Sequence, residues 1–323
     1  MMKKNLKIVA IILAVFSLTG CTTYLKQDIN GKKQIVKNEE TGQNLTKNIL
    51  CKPEDKSIIK IYEDYNSKVD KKDQVNLDKL TACDKLTPAS GSYEGIWTTV
   101  FVKPIAWLII QLGEILKSYG FSLIIATLLI RGILYPLTKK TAMQSENMKK
   151  AQKDLDKLEK KYQNRKDQEA TMQKSQEMML VYKKYNINPL SGCLFSFIQI
   201  PLFFAFLEAI NRIPVIFEEN FLGIFQLGTS PAVAVFTNHQ YYYAIFILII
   251  VASTYFSFKL NSTAMSKEQE AQMKMMTNMM VIFMTIATFS ISTGIAIYWT
   301  VSNLFTIVQN LIVKRGKKNV KSN

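Results

Sequence analysis

The residues that invite a chemical reading are one cation and a few neutral hydrogen-bonding groups, each set in an apolar run. Arg131 interrupts FSLIIATLLIRGILYPLTKK, residues 121–140. A charge at the centre of a membrane helix costs about 2.5–3.5 kcal/mol on insertion scales, so it persists where water, a partner or a function meets it. A snorkelling arginine is the plain alternative. From Arg131 to Leu137, the last apolar residue, is roughly 9 Å at 1.5 Å per residue. That is a long reach for a side chain and favours a wet interior site.

Other polar groups fall at similar depths when counted from the basic end of their own runs. Thr254 lies about 9 Å in, Thr285 about 10 Å, and Gln199 and Asn303 about 15 Å. Together with Arg131 they define one polar slab in the inner half of a bilayer. Glu208 sits roughly 28 Å along its run, near the other surface, and so is not the partner of Arg131. No run offers Asp or Glu at the depth of the arginine. An uncompensated cation among neutral hydrogen-bonders implies a hydrophilic cavity open to the cytoplasm that attracts polar or acidic segments. Interhelical hydrogen bonding alone would account for Thr254 and Thr285 but not for Arg131. His239 is the only histidine. It argues against His-based catalysis and metal chemistry, so neither a metal nor a cofactor is expected.

These residues need helices to hold them. The chain has 323 residues and a formal charge of +16. Such a charge fits nucleic acid, anionic lipid or a topology signal. Because the charges lie between apolar runs, specific DNA binding is set aside. Residues 1–20 read as a lipoprotein signal peptide, ending in Leu18-Thr19-Gly20-Cys21, with Cys21 as the lipid attachment site. Residues 21–96 are a polar extracellular segment, too poor in hydrophobics for a sizeable core, with one short helix in EDKSIIKIYEDYNSK. Cys51 and Cys83 fall there; a disulfide and two free thiols are both open. Residues 97–118 read as an amphipathic helix on the membrane surface, with Lys103, Gln111, Glu114 and Lys117 on its polar side.

Five spans follow at about 120–138, 189–210, 241–260, 278–291 and 294–313. The last apolar stretch, Met279 to Val313, is too long for one span and is divided at Ser292-Thr293-Gly294. A Tyr241-Tyr242-Tyr243 belt marks the outer end of the third span, and residues 261–278 form a short inner loop. Between the first two spans, residues 139–187 carry 13 Lys or Arg against 7 acids. The excess places them in the cytoplasm. Met148, Ala151, Leu155, Leu158 and Tyr162 repeat at coiled-coil spacing, QNRKD breaks the pattern and a second helix resumes, giving an antiparallel hairpin. The tail 314–323 is basic and cytoplasmic. The fold class is therefore an all-α integral membrane protein, with five transmembrane helices, a cytoplasmic helical hairpin and an N-terminal interfacial helix. Methionines at 265, 273, 275, 276, 279, 280 and 284 suit varied apolar partners.

In this order TLLIRGILYPLTKK, the basic hairpin, NPLSGCLFSFIQIPLFFAF and STGIAIYWTVSNLF resemble the YidC-type membrane protein insertases over residues 97–315. The lipobox and small ectodomain are similar to the short form found in bacteria with one membrane. The resemblance implies a five-span insertase that is not an enzyme. Its groove arginine maps onto Arg131, and the aromatic and polar residues of the last span map onto Trp299 and Asn303. Where the family often carries Cys-Leu-Pro in the second span, this chain has Cys193-Leu194-Phe195. The expected partners are nascent membrane proteins, with a Sec-type translocon, a ribosome and anionic lipids as further partners of the hairpin and tail. A secondary transporter or channel for a small anion, using Arg131, is the competing class, although no internal repeat supports it. A lipoprotein enzyme ranks last, since residues 22–96 hold no histidine and no recognisable motif.

Overall fold

The computed structural model describes residues 23–165, 167–188, 191–261 and 267–319. The expected signal peptide, Cys21 as the expected lipid-attachment site, Pro189 at the start of the expected second span, Met265 and the last four residues of the chain lie outside that description. The protein is mostly helical and divides into two compact units. The first holds residues up to Leu123 together with Phe204–Tyr241 and Ile291–Ile295; the second holds Ile124–Phe203, Tyr242–Ser290 and Ala296 onward.

In the first unit, strands β1 (Lys26–Ile29) and β2 (Lys32–Ile35) pair antiparallel. Asn30 and Gly31 join them, both at positive φ, as a two-residue hairpin turn demands. Helix α1 spans Lys56–Lys68, and Asp55 starts it by accepting from the amides of Ser57 and Ile58. The segment is more than a polar tether. Leu25, Val36, Leu45, Ile49, Tyr62, Tyr65 and Leu86 are all buried, although the segment was expected to be too poor in hydrophobics for a sizeable core. Few apolar residues suffice because Cys51 and Cys83 are bonded at 2.06 Å inside it, and small domains use such crosslinks where core area is scarce.

A π-helical turn, Thr98–Val102, leads into α2, Lys103–Leu116. Its polar side does not simply face water. Lys103 is buried and donates to the carbonyls of Ser90 (2.6 Å) and Ser92 (2.9 Å). Lys117 ends α2 in the left-handed region. Helix α3 then runs unbroken from Tyr119 to Tyr162, with Pro136 inside it. The first expected span and the first arm of the hairpin are therefore one helix. Glu219 caps the start of α3, accepting from the amides of Tyr119 and Gly120 and from Ser118 Oγ, an anion where a helix N-terminus favours one. Arg212, 1% exposed, is chelated by Glu94 (2.6 and 2.8 Å) and Glu208 (2.8 Å), and Trp97 Nε1 donates to Glu208 at 3.0 Å. Two short strands, β3 (Asn220–Phe221) and β4 (Phe225–Gln226), close a turn whose Leu222 and Ile224 stay exposed.

In the second unit α3 continues into the hairpin, which turns after Tyr162 and returns as α4, Gln168–Lys184, started by Asp167 accepting from Ala170. Met148, Ala151 and Leu155 pack with Tyr182 and Ile187, and Leu158 and Tyr162 with Ala170. The coiled-coil stripe is thus the hairpin seam, flanked by the pairs Lys161–Glu177 and Lys184–Asp154. The remaining helices are α5 (Ser191–Asn211, containing Pro201), α6 (Ala244–Asn261), α7 (Lys267–Thr288) and α8 (Thr293–Asn319). Where a loop was expected up to residue 278, α7 already begins at Lys267. The break between α7 and α8 falls at residues 289–292, beside Ser292-Thr293-Gly294. Tyr243 turns inward, 1% exposed, leaving Tyr241 and Tyr242 as the outward pair.

Among the described residues, four helices are long and apolar enough to cross a membrane: Thr98–Leu116, Tyr119–Tyr162, Tyr241–Leu260 and Thr293–Arg315. Gln199–Asn211 and Thr277–Thr288 are shorter apolar helices. This is a membrane protein with several apolar helices.

Candidate functional site

Every expected slab residue belongs to the second unit, and five helices carry them, Thr285 coming from α7. Arg131 comes from α3, Gln199 from α5, Thr254 from α6, and Trp299 and Asn303 from α8. The structure gathers all of them but Thr285 into two groups, buried except for the half-buried Gln199. In the first, Arg131 donates through one terminal nitrogen to Gln199 Oε1 at 2.6 Å and to Ser302 Oγ. In the second, Thr254 Oγ1 accepts from Trp299 Nε1 at 2.8 Å and from Asn303 Nδ2 at 3.1 Å. Phe203 packs beside the second group, edge-on to Trp299 at 4.8 Å and stacked on Tyr298 at 6.4 Å.

Helix periodicity explains why α8 serves both groups. Tyr298 and Ser302 are four residues apart, as are Trp299 and Asn303, so each pair shares a stripe and the two stripes are neighbours. The polar face continues past Ser302: Thr306 Oγ1 donates to the Ser302 carbonyl at 3.0 Å, and Asn310 Nδ2 to that of Thr306 at 2.8 Å. Thr138 Oγ1 on α3 donates to Gln309 Oε1 at 3.1 Å. The Arg131–Ser302 and Thr138–Gln309 contacts have the same sequence offset, 171 residues. Helices α3 and α8 therefore run parallel and in register, one heptad between polar rungs.

One expectation is corrected. Arg131 is not bathed in solvent; it is 2% exposed. Neutral side-chain acceptors stand where water was expected. Its Nε has no hydrogen-bond partner among the described residues, and no described carboxylate pairs with it. The site is thus a buried cation with donor capacity in reserve, held by dipoles. Such an arrangement can exchange neutral acceptors for an anionic one, since charge-assisted bonds are roughly twice as strong as neutral ones.

Thr285 does not join either group. It is half-buried and bonds back to the Val281 carbonyl of its own helix at 2.8 Å. Glu208 belongs to the Arg212 network of the first unit. Ser302 was missed because an isolated serine in an apolar helix carries little signal; its i−4 relation to Tyr298, beside Trp299 and Asn303, was the available clue. On α7, Met275 and Met279 are each 60% exposed and Met284 is buried.

A family model for the 60Kd inner membrane proteins matches residues 111–321. The chain belongs to this family. The 60Kd match covers all four helices that build the polar groups. Family relatives include a protein named membrane protein insertase YidC from Oceanobacillus iheyensis, 32% identical over 73% of this chain and 91% of its own length. Another is membrane protein insertase YidC 2 from Bacillus anthracis, 35% identical over 74% of this chain and 90% of its own. Membrane protein insertase MisCA from Bacillus subtilis is 33% identical over 73% and 86%. A crystal structure described as an active YidC insertase with its first transmembrane domain resolved aligns at TM-score 0.43 and 21% identity, over 67% of this chain and 46% of that one.

Proposed function

We propose that this protein is an ATP-independent insertase and chaperone for membrane proteins. It receives the hydrophilic segment of a nascent membrane protein in a polar groove open to the cytoplasm and releases the adjoining transmembrane helix into the bilayer. The observation that carries the reading is Arg131, buried in an apolar helix among neutral acceptors and without a described acid. Membership of a family whose relatives are named insertases supports it.

The buried arrangement is then the resting form of the groove. A client carboxylate, or water preceding it, displaces Gln199 and Ser302 from the guanidinium. Trp299, Asn303 and Thr254 line the adjoining wall and offer neutral hydrogen bonds to the passing backbone. Around this core we assign five spans, a surface-lying helix at residues 97–118, an N-terminus tethered outside through lipid on Cys21, and a cytoplasmic C-terminus. The hairpin 139–187 and tail 314–323 recruit a ribosome, a Sec-type translocon or anionic lipid by their positive charge.

Depletion of the protein followed by insertion of a small single-span substrate tests the function. Unchanged insertion counts against it. Anion flux through proteoliposomes, with insertion unaffected, would favour a transporter using Arg131.

A further inference from the structure

Below Arg131 the parallel pair α3 and α8 does not close. An open-sided groove of about 330 Å³ lies between them, lined by Gly132, Tyr135, Phe305, Val308, Gln309 and Ile312. Val308 and Ile312 are each 54% exposed on its rim. A side chain at Gly132 would meet nothing within 4 Å, so the glycine leaves space that packing does not use. Glycine inside a helix weakens it, and no neighbouring atom here requires one. Gln309, the polar lining residue, already accepts from Thr138. The exposed lining is therefore almost wholly apolar.

Charge gathers at one end. Lys139 holds its ammonium 5.8 Å from the centroid of Tyr135, a wall residue. Lys140 is exposed beside it, and exposed Lys314 and Arg315 follow Ile312 within three residues on α8. None of the four forms an ion pair with a described acid. An apolar slot under a cationic mouth fits an amphiphile with an anionic head.

Charge selects among apolar occupants: a wholly apolar client helix offers nothing to the four cations, whereas an anionic lipid brings a head group to the basic mouth and a chain to the slot. We propose that the α3–α8 groove seats one acyl chain of an anionic phospholipid, its phosphate held by Lys139, Lys140, Lys314 and Arg315. The basic mouth faces the inner leaflet in the proposed topology, and to that extent the assignment rests on that reading.

The test uses the full chain in phosphatidylcholine vesicles containing phosphatidylglycerol with a photoreactive group on one acyl chain. After illumination, labelled peptides are mapped by mass spectrometry. Label is expected on residues 305–312, with at least a fivefold loss in Gly132→Leu and, from the opposite wall, in Val308→Trp. Label at exposed Leu248 of α6 serves as the annular control and stays constant. Changing Lys139, Lys140, Lys314 and Arg315 together to Gln lowers phosphatidylglycerol labelling at least threefold without altering labelling by a phosphatidylcholine analogue. Equal labelling of groove and control, or equal labelling by both lipids in the wild type, overturns the proposal. So does displacement of the lipid label by crosslinks to a client helix. No client is needed for the readout, so a failed insertion assay with the label retained sinks the proposed function and leaves this site standing.

Discussion

Arg131→Ala separates a structural from a functional role because the two free-energy contributions nearly cancel. The substitution removes two hydrogen bonds from a charged donor, to Gln199 and Ser302. At about 1.5–3 kcal/mol each they contribute about 3–6 kcal/mol. It also removes a cation whose burial in a membrane helix costs about 2.5–3.5 kcal/mol. The difference is about 0–3 kcal/mol, below the usual net stability of a domain, about 5–15 kcal/mol. The variant should fold, with a modest drop in thermal midpoint measured by size exclusion after heating in detergent. Insertion of a single-span client with an acidic N-tail into proteoliposomes should fall at least tenfold, since nothing else among the described groups of the cluster is positively charged. Arg131→Lys keeps the charge and should recover only part of the rate, since an ammonium on a shorter stem does not carry its donors to where the guanidinium nitrogen meets Gln199 and Ser302. Wild-type insertion by a folded Arg131→Ala protein would refute the reasoning outright.

Other outcomes follow from the same geometry. Replacing Cys51 and Cys83 by Ser opens a crosslink of sequence separation 32, for which the chain-entropy estimate is about 3.7 kcal/mol; limited proteolysis of residues 23–96 should accelerate, and insertion should change little. Arg212→Met leaves Glu94 and Glu208 facing each other uncompensated, a loss of about 3–5 kcal/mol, read as lowered protease resistance of the first unit. The Glu218 carboxyl, exposed along its side chain, is raised from 4.5 to about 7, first by desolvation from the protein around it and then by Asp55, Glu54 and Glu114. Its folded-state value lies above the unfolded one, so its contribution is full below about pH 4.5 and fades as pH rises through 7. The thermal midpoint should therefore rise from pH 8 to pH 5, and Glu218→Gln should flatten that slope; an unaltered slope excludes Glu218 as the cause. Deleting residues 144–180 should abolish client crosslinking to the hairpin's neighbourhood while Arg131 keeps its partners, and undiminished crosslinking would end the recruitment role.

The legible parts of the fold were those written in local periodicity. The hairpin seam could be read from Met148 to Tyr162 because each apolar residue meets its partner at helical spacing. The division at Ser292-Thr293-Gly294 followed from a run too long for one span. What could not be read depends on pairs far apart in sequence. Arg212 and Glu94 are 118 residues apart, and nothing local to either announces the other. The core around Tyr62 and Tyr65 gathers single residues from separate turns, so composition undercounted it. Asn30-Gly31 is a local hairpin signature, but the flanking strands are mostly polar and add no alternating apolar pattern to it. In the candidate site the depth count selected Arg131, Gln199, Thr254 and Asn303, which the structure places in the two hydrogen-bonded groups. It failed for Thr285, because depth ignores the direction a side chain takes around its helix. It also supplied water where Ser302 stands, since rise per residue says nothing about which neighbour fills a gap.

Helix α3 has a mechanical consequence. From Arg131 to Tyr162 it is a rod of roughly 47 Å at 1.5 Å per residue, with no slack linker between the guanidinium and the hairpin tip. A sideways push at the tip reaches the arginine as leverage, not as a signal passed through loops. Pro136 lies five residues below Arg131, where it removes one rung of the hydrogen-bond ladder. The rod is thus most compliant close to its working end, so a large sweep of the tip becomes a small tilt beside the cation.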